Sequence, residues 1–153
     1  MVFDQKIVLF HQNVKDTEDA LRRLSKVFIA DGLAEPEFTD GILKREILYP
    51  TGLRLEDGTG VAIPHTDCDK VIRSQIGFMS LEKPVIFTQM GGEPEDKVEV
   101  RMIFMLCLKE AHEQLDTLQN LMSLFQNQEQ MAELYQCSDV ETYMKIIAAS
   151  NLF

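Results

Sequence analysis

Apolar residues recur along this chain with first a helical and then an alternating period, and the switches between the two mark out its elements. A short β-prone run, Lys6 to Phe10, comes first. The cluster Asp16-Thr17-Glu18-Asp19 reads as a helix start, with carboxylates set against the positive end of the dipole. Leu21, Leu24, Val27 and Phe28 follow at helical spacing until Asp31-Gly32 closes the segment. Glu35-Pro36-Glu37 opens a second helix, which carries Phe38, Ile42, Ile47 and Leu48 until Pro50 stops it and places Arg45 in its last turns.

From Thr51 to Gly60 the glycines and acidic residues read as turns. Val61 to Ile63, Gln75 to Leu81, Val85 to Phe87 and Val98 to Leu108 read as strands, with Met90 to Lys97 the clearest loop. The last strand is the longest and becomes continuously hydrophobic after Arg101, the pattern of a central strand covered by helices on both faces. Leu115, Leu118, Leu121, Met122 and Phe125 return to helical offsets. Ser138-Asp139-Val140-Glu141 offers a capping-box start for a terminal helix through Met144, Ile146 and Ile147. Met102, Met105 and Met122 fall where core packing expects them. The expected fold is α/β: a single three-layer domain over residues 1–153, with a mixed β-sheet flanked by helices on both faces. No internal repeat, linker or low-complexity tract interrupts it.

Composition narrows the class. A chain of 153 residues buries enough surface to need neither disulfides nor a structural metal. Its 45% hydrophobic and 26% charged residues are ordinary for a globular protein, and no apolar run approaches the ~20 residues of a membrane span. Direct membrane insertion is therefore not expected. The start lacks the features of a secretory signal, and Cys68, Cys107 and Cys137 form no disulfide framework, so the expectation is a cytoplasmic protein with free thiols. A net charge of -10 repels nucleic acid and suits a protein partner with a basic face.

The run Gly60-Val61-Ala62-Ile63-Pro64-His65 carries the chemistry. It delivers an imidazole at the end of a short apolar strand, directly after a rigid proline. Twenty residues upstream stand Arg45-Glu46 and then Pro50-Thr51-Gly52. A guanidinium within folding reach of a presented imidazole suggests phosphate chemistry, because the planar fork pairs with phosphoryl oxygens. At neutral pH an imidazole is largely neutral and offers a lone pair that can accept a phosphoryl group. The plain alternatives are a strand-end histidine bonded to a backbone carbonyl, and a solvated helix arginine paired with Glu46 or another acid. Thr51 reads equally well as a hydroxyl donor to a phosphoryl oxygen and as a turn former.

The combination R-E-x-x-x-P-T-G (Arg45 to Gly52) followed by G-V-A-I-P-H (Gly60 to His65) resembles the phosphorylation site of phosphotransferase-system EIIA proteins of the fructose/mannitol class. The likeness extends over nearly the whole chain. Thr66-Asp67-Cys68 in place of the usual glycine, and Ala111-His112-Glu113-Gln114-Leu115 downstream, look most like the galactitol-type branch. The resemblance implies that His65 is the phosphorylated histidine and that Arg45 compensates phosphoryl charge. Thr66 follows the site where the class commonly has a small residue, and its N–H or hydroxyl could reach the same oxygens. Some relatives, notably of the mannitol type, carry a second active-site histidine before the leucine-patterned helix. Setting Leu115, Leu118 and Leu121 onto that pattern puts Gln114, not His112, at its position.

By the same resemblance the chain would be a phosphoryl carrier and phosphotransferase component. It would take phosphate from phospho-HPr onto His65 and pass it to a cysteine of a cognate EIIB, coupled through a membrane EIIC to uptake of a hexitol such as galactitol. No organic cofactor is implied. A metal at His65-Thr66-Asp67-Cys68 lacks a second Cys/His pair, so none is expected. The alternative is a regulatory module in which the phosphorylation state of His65 controls a protein partner. A hydrolase using His65 as general base would need a nucleophile or carboxylate pair that the spacing does not supply. His11 and His112 read as surface residues, the first in a loop and the second near a helix N-terminus.

Overall fold

The computed structural model describes residues 2–150. Among them five strands form one mixed sheet: β1 (Val8–Gln12), β2 (Gly52–Arg54), β3 (Gly60–Ala62), β4 (Gln75–Thr88) and β5 (Lys97–Cys107), in the order β1-β4-β5-β3-β2. Strand β1 runs parallel to β4 and β3 parallel to β5, while β4–β5 and β2–β3 are antiparallel. The helices are α1 (Thr17–Ala30), α2 (Phe38–Leu48), α3 (Ala111–Phe125), α4 (Gln128–Gln136) and α5 (Val140–Ala149).

Strand β5 lies at the centre, and its side chains divide the interior. Ile103, Met105 and Cys107 join a buried cluster with Leu21, Leu24 and Phe28 of α1 and Phe38 and Ile42 of α2. Met102, Phe104 and Leu106 point the other way, into a second cluster with Leu121 and Phe125 of α3, Leu134 of α4 and Tyr143 and Ile147 of α5. Successive strand residues face opposite sides of a sheet, so two buried faces require an unbroken apolar run. This is the expected three-layer α/β arrangement, and α1 begins where expected, with Asp16 accepting the Asp19 N–H at 2.8 Å.

Several local expectations are corrected. Gln75 to Leu81 and Val85 to Phe87 are one strand, interrupted by a slip in pairing between Ser80↔Met102 and Val85↔Val100 that leaves Glu82, Lys83 and Pro84 exposed. At 14 residues β4, not β5 with 11, is the longest strand. Part of the turn segment Thr51 to Gly60 pairs as β2. The cap of α5 is Asp139, which accepts the Thr142 N–H at 2.8 Å, so Ser138 lies outside the helix. The capping box opens α3 instead, between Glu110 and Glu113. Helix α4, capped by Asn127, adds an element that the apolar spacing does not announce. His11 is exposed but belongs to β1, with φ 48 and its N–H donated to Ser80 Oγ, so it is not in a loop. Met122 is 41% exposed rather than core, and Leu115 faces solvent.

No helix among the described residues is long and apolar enough to cross a membrane.

Candidate functional site

Strand β3 reaches the site through the middle of the sheet. Gly60 is needed there, because a Cβ at that position would stand inside hard contact with the Glu99 carbonyl oxygen of β5. Beyond β3 the pairing continues: the Leu106 N–H donates to Pro64 O at 2.9 Å, and His65 itself bridges to Leu106. Ile63 and Pro64 are buried and His65 is half-buried, so the last anchored residue before the site is followed at once by a partly exposed imidazole.

The ring orientation is set by the backbone. His65 Nδ1 lies 2.9 Å from Ile63 O. A carbonyl oxygen can only accept, so in the neutral ring Nδ1 carries the proton and Nε2 has the lone pair. The carbonyl contact read from sequence as the plain alternative is therefore present, and it is also the arrangement that leaves a nucleophilic nitrogen.

Arg45 comes from α2. Standing three residues after Ile42 and seven after Phe38, it shares their inward face, whereas Ile47 is about 180° around the helix from Phe38. That geometry explains two observations. Ile47, Leu48 and Tyr49 are 79%, 71% and 61% exposed, against the expectation that Ile47 and Leu48 would pack inward. The Arg45 Nε is buried and, among the described residues, has no hydrogen-bond acceptor. The guanidinium emerges to meet Asp67, with Nη1 at 3.2 Å from Oδ1, and lies 4.6 Å from the centre of the Tyr49 ring. Its acidic partner is thus Asp67, two residues past His65, and not the adjacent Glu46.

Glu46 serves the turn. Thr51 donates its N–H to Glu46 Oε2 and its hydroxyl to Oε1, each at 2.7 Å. Thr51 is buried, and its carbonyl accepts the Ile63 N–H at 3.3 Å. The Thr51 hydroxyl is therefore committed to Glu46, and the turn-forming reading describes its observed contacts. Burial drives the Glu46 carboxyl up from 4.5 to about 7, against the lowering effect of the two Thr51 hydrogen bonds.

Thr66 is buried beneath α2, where a Cβ at Gly41 would lie 2.8 Å from Thr66 Oγ1. Gly41 therefore permits the close approach of α2 to the segment after His65. Thr66, Asp67 and Lys70 form one wall of an open groove whose other wall is Gly41, Arg45 and Tyr49. From the opposite helical layer, Gln114 of α3 donates through Nε2 to Cys68 Sγ at 3.7 Å, which brings it to the 3-10 turn Cys68–Lys70 just after His65. His112 is exposed near the start of the same helix, as expected from its place in the sequence. Among the described residues no three His, Cys, Asp or Glu side chains gather as a metal cage.

Sequence reasoning missed Asp67, Gly41 and the Glu46–Thr51 pair. Glu46, inside the motif and next to Arg45, carried a sequence signal for a role at the site, and Asp67 one only as a weak metal ligand. Asp67 and Gly41 become visible only once α2 is docked.

The structure offers an imidazole oriented by a backbone carbonyl and, beginning one residue further along the chain, the wall of an open groove in which a guanidinium keeps unfilled donor capacity, a group of the kind that pairs with phosphoryl oxygens. Over 134 residues the chain is 26% identical to the mannitol-specific EIICBA component of Escherichia coli (strain K12), covering 86% of this chain and 20% of that protein. The chain thus spans about a fifth of the length of that relative. Its fold matches IIA mannitol from Escherichia coli, with a TM-score of 0.72 at 19% identity over 94% of this chain and 96% of that one. The complex of enzyme IIAMTL with phosphorylated enzyme IIBMTL from the same organism gives 0.73 at 21% identity, covering 94% of each chain. The nitrogen regulatory protein IIA-Ntr of Neisseria meningitidis gives 0.70 at 24% identity, covering 92% of each. Residues 1–150 match the family of the phosphoenolpyruvate-dependent sugar phosphotransferase system, EIIA 2, and the chain belongs to that family of phosphoryl-transfer components.

Proposed function

We propose that His65 is the phosphoryl acceptor and donor of this EIIA protein. The observation that carries the reading is the His65 Nδ1 contact with Ile63 O, which leaves Nε2 as the nucleophile. In acceptance, the Nε2 lone pair forms a bond to phosphorus while the P–N bond of phospho-HPr breaks, and Nδ1 keeps its proton on the Ile63 carbonyl. In donation the new P–N bond breaks as a cysteine thiolate of a cognate EIIB attacks. The protein's task is alignment and charge compensation, for which Arg45 is the available cation. Thr66 and Gln114 stand close enough in the fold to steady the loop around His65. Thr51 acts through Glu46 and Ile63 rather than by touching phosphate. No cofactor or metal enters the scheme.

Both partners would dock on the same face. Ile47, Leu48, Tyr49 and Leu115 form exposed apolar surface on the two elements that carry Arg45 and Gln114. Leu48 and Tyr49 line the groove that holds Arg45 and Asp67, and a small apolar face there suits brief, modest interfaces with two partners in turn. The acidic net charge of -10 favours encounter with a donor that has a basic surface. Further along the relay we place a membrane EIIC and a hexitol such as galactitol, with the chain acting in the cytoplasm.

A second reading, a regulatory module whose His65 phosphorylation controls a protein partner, draws on the comparable likeness to IIA-Ntr. Incubation with phosphoenolpyruvate, Enzyme I and HPr tests the shared first step. A single acid-labile, base-stable phosphate on the chain, absent from His65→Ala, is expected. Rapid onward transfer to EIIB then selects the transport role, and a stable phospho-protein that EIIB fails to discharge selects the regulatory one. A folded chain that takes no phosphate overturns both.

A further inference from the structure

The cation proposed to serve the phosphoryl group already holds an anion. Arg45 Nη1 meets the carboxylate of Asp67 at 3.2 Å, and Asp67 stands two residues after His65, within about 7 Å of chain reach. The contact is one-sided. It uses Nη1, while the buried Nε–H of the same guanidinium has no acceptor among the described residues. An arginine that is half-used in this way has donor capacity for a group with more oxygens than its present partner can direct at it.

We infer that Asp67 is an internal stand-in for the phosphoryl group: it occupies Arg45 while His65 is free and is displaced when Nε2 is phosphorylated, so that Asp67 sets how favourably the chain holds phosphate. This inference rests on His65 being the phosphoryl acceptor. Asp67 acts by competition and not through stability. Its side chain is 69% exposed and that of Arg45 35%, and an ion pair so open to solvent adds little to folding. The same guanidinium cannot give its best geometry to two anions at once, and a phosphoryl group brings close to two negative charges. Phosphorylation therefore has to break the Arg45–Asp67 pair and then hold phosphate beside a released carboxylate. Both effects lower the affinity of His65 for phosphate and favour passing it on. The neighbouring cation Lys70 already shares its charge with Asp69, at 3.3 Å, and the Arg45→Ala background separates its contribution from that of Arg45.

The test is the equilibrium between isolated phospho-HPr and the chain, read as the ratio of phosphorylated to free protein by intact mass. It is run for wild type, Asp67→Asn, Arg45→Ala and the double variant. Asp67→Asn should move the equilibrium toward the phosphorylated chain by about 3- to 10-fold at low salt, and by less at high salt. In the Arg45→Ala background that gain should shrink markedly. An unchanged equilibrium in Asp67→Asn overturns the inference, as does a gain of full size without Arg45, which would mean plain repulsion. The Arg45 Nε–H resonance supplies a reading that does not depend on the double variant: phosphorylation of wild type should shift it and slow its exchange with water. A resonance that stays in place overturns the stand-in exchange. Wild type that accepts no phosphate removes the carrier reading itself, and this inference with it.

Discussion

Glu46 and Thr51 are joined by two hydrogen bonds of 2.7 Å each, from the threonine N–H and from its hydroxyl, across the turn that joins α2, the Arg45 helix, to β2. Burial nevertheless raises the Glu46 carboxyl from 4.5 to about 7. A carboxyl with a raised folded pKa binds its proton more tightly in the native state than in the unfolded chain. Between about 4.5 and about 7 the native protein therefore holds the extra proton, its stability falls as pH rises, and the loss levels off above that window. Glu46→Gln should abolish this component. Urea midpoints of the two proteins, measured between about pH 4.5 and 8, should diverge across the window, and parallel curves would show that Glu46 does not titrate there.

His65→Ala removes a half-buried ring whose observed polar contact is one hydrogen bond to a local carbonyl. Phosphate acceptance should disappear, while stability should change by no more than about 1 kcal/mol. Intact mass after exposure to phospho-HPr, read beside a thermal melt, checks both halves. Residual labelling would place the acceptor elsewhere.

Gly60→Ala probes the opposite balance. A methyl group there would meet the Glu99 carbonyl of β5, a backbone atom that cannot step aside. The variant should lose roughly 2 kcal/mol or more and pull β3 out of register. His65 rides on that strand, so phosphate acceptance should fall even in the fraction that stays folded. A melt indistinguishable from wild type would contradict the close approach.

The exposed end of α2 should be felt in recognition and not in folding. Replacing both Ile47 and Leu48 by Ser removes apolar surface that is 79% and 71% exposed. Transfer from phospho-HPr should show a raised KM with little change in kcat and an unchanged melting midpoint. If KM stays at the wild-type value, the partner docks elsewhere.

Gln114→His would place an imidazole within reach of Cys68, beside the loop that comes after His65. The pH profile of transfer should change shape near ~6.5, the ordinary range of imidazole titration. A profile identical to that of wild type would detach Gln114 from the site.

The large elements are legible in the sequence because each has one dominant period. Val98 to Leu108 announces a strand buried on both faces, and Leu21 to Phe28 announces an amphipathic helix. Legibility fails where a local rule meets a tertiary demand. The long β4 reads as two strands because Glu82-Lys83-Pro84 breaks the alternation, yet the hairpin with β5 accommodates those residues as an outward slip. Ile47 and Leu48 read as core because they are apolar, although helical geometry already puts Ile47 opposite Phe38. At the candidate site, Arg45 and His65 stand out in the sequence because their motif is compact. Asp67 reads only as a candidate metal ligand, because nothing in its neighbours shows that α2 will bring a guanidinium to it.

His65 sits at the end of the interior β3–β5 pair, with Pro64 and Ile63 buried beneath it and Leu106 bonded alongside. Such a foundation makes His65 an anvil: the imidazole has little freedom to travel toward a donor. Any swing that brings phosphorus into line must come from the visiting protein or from the rim of α2. In the proposed carrier role, two unrelated visitors would use one fixed point in turn, each solving its own approach to a target held in place by the sheet.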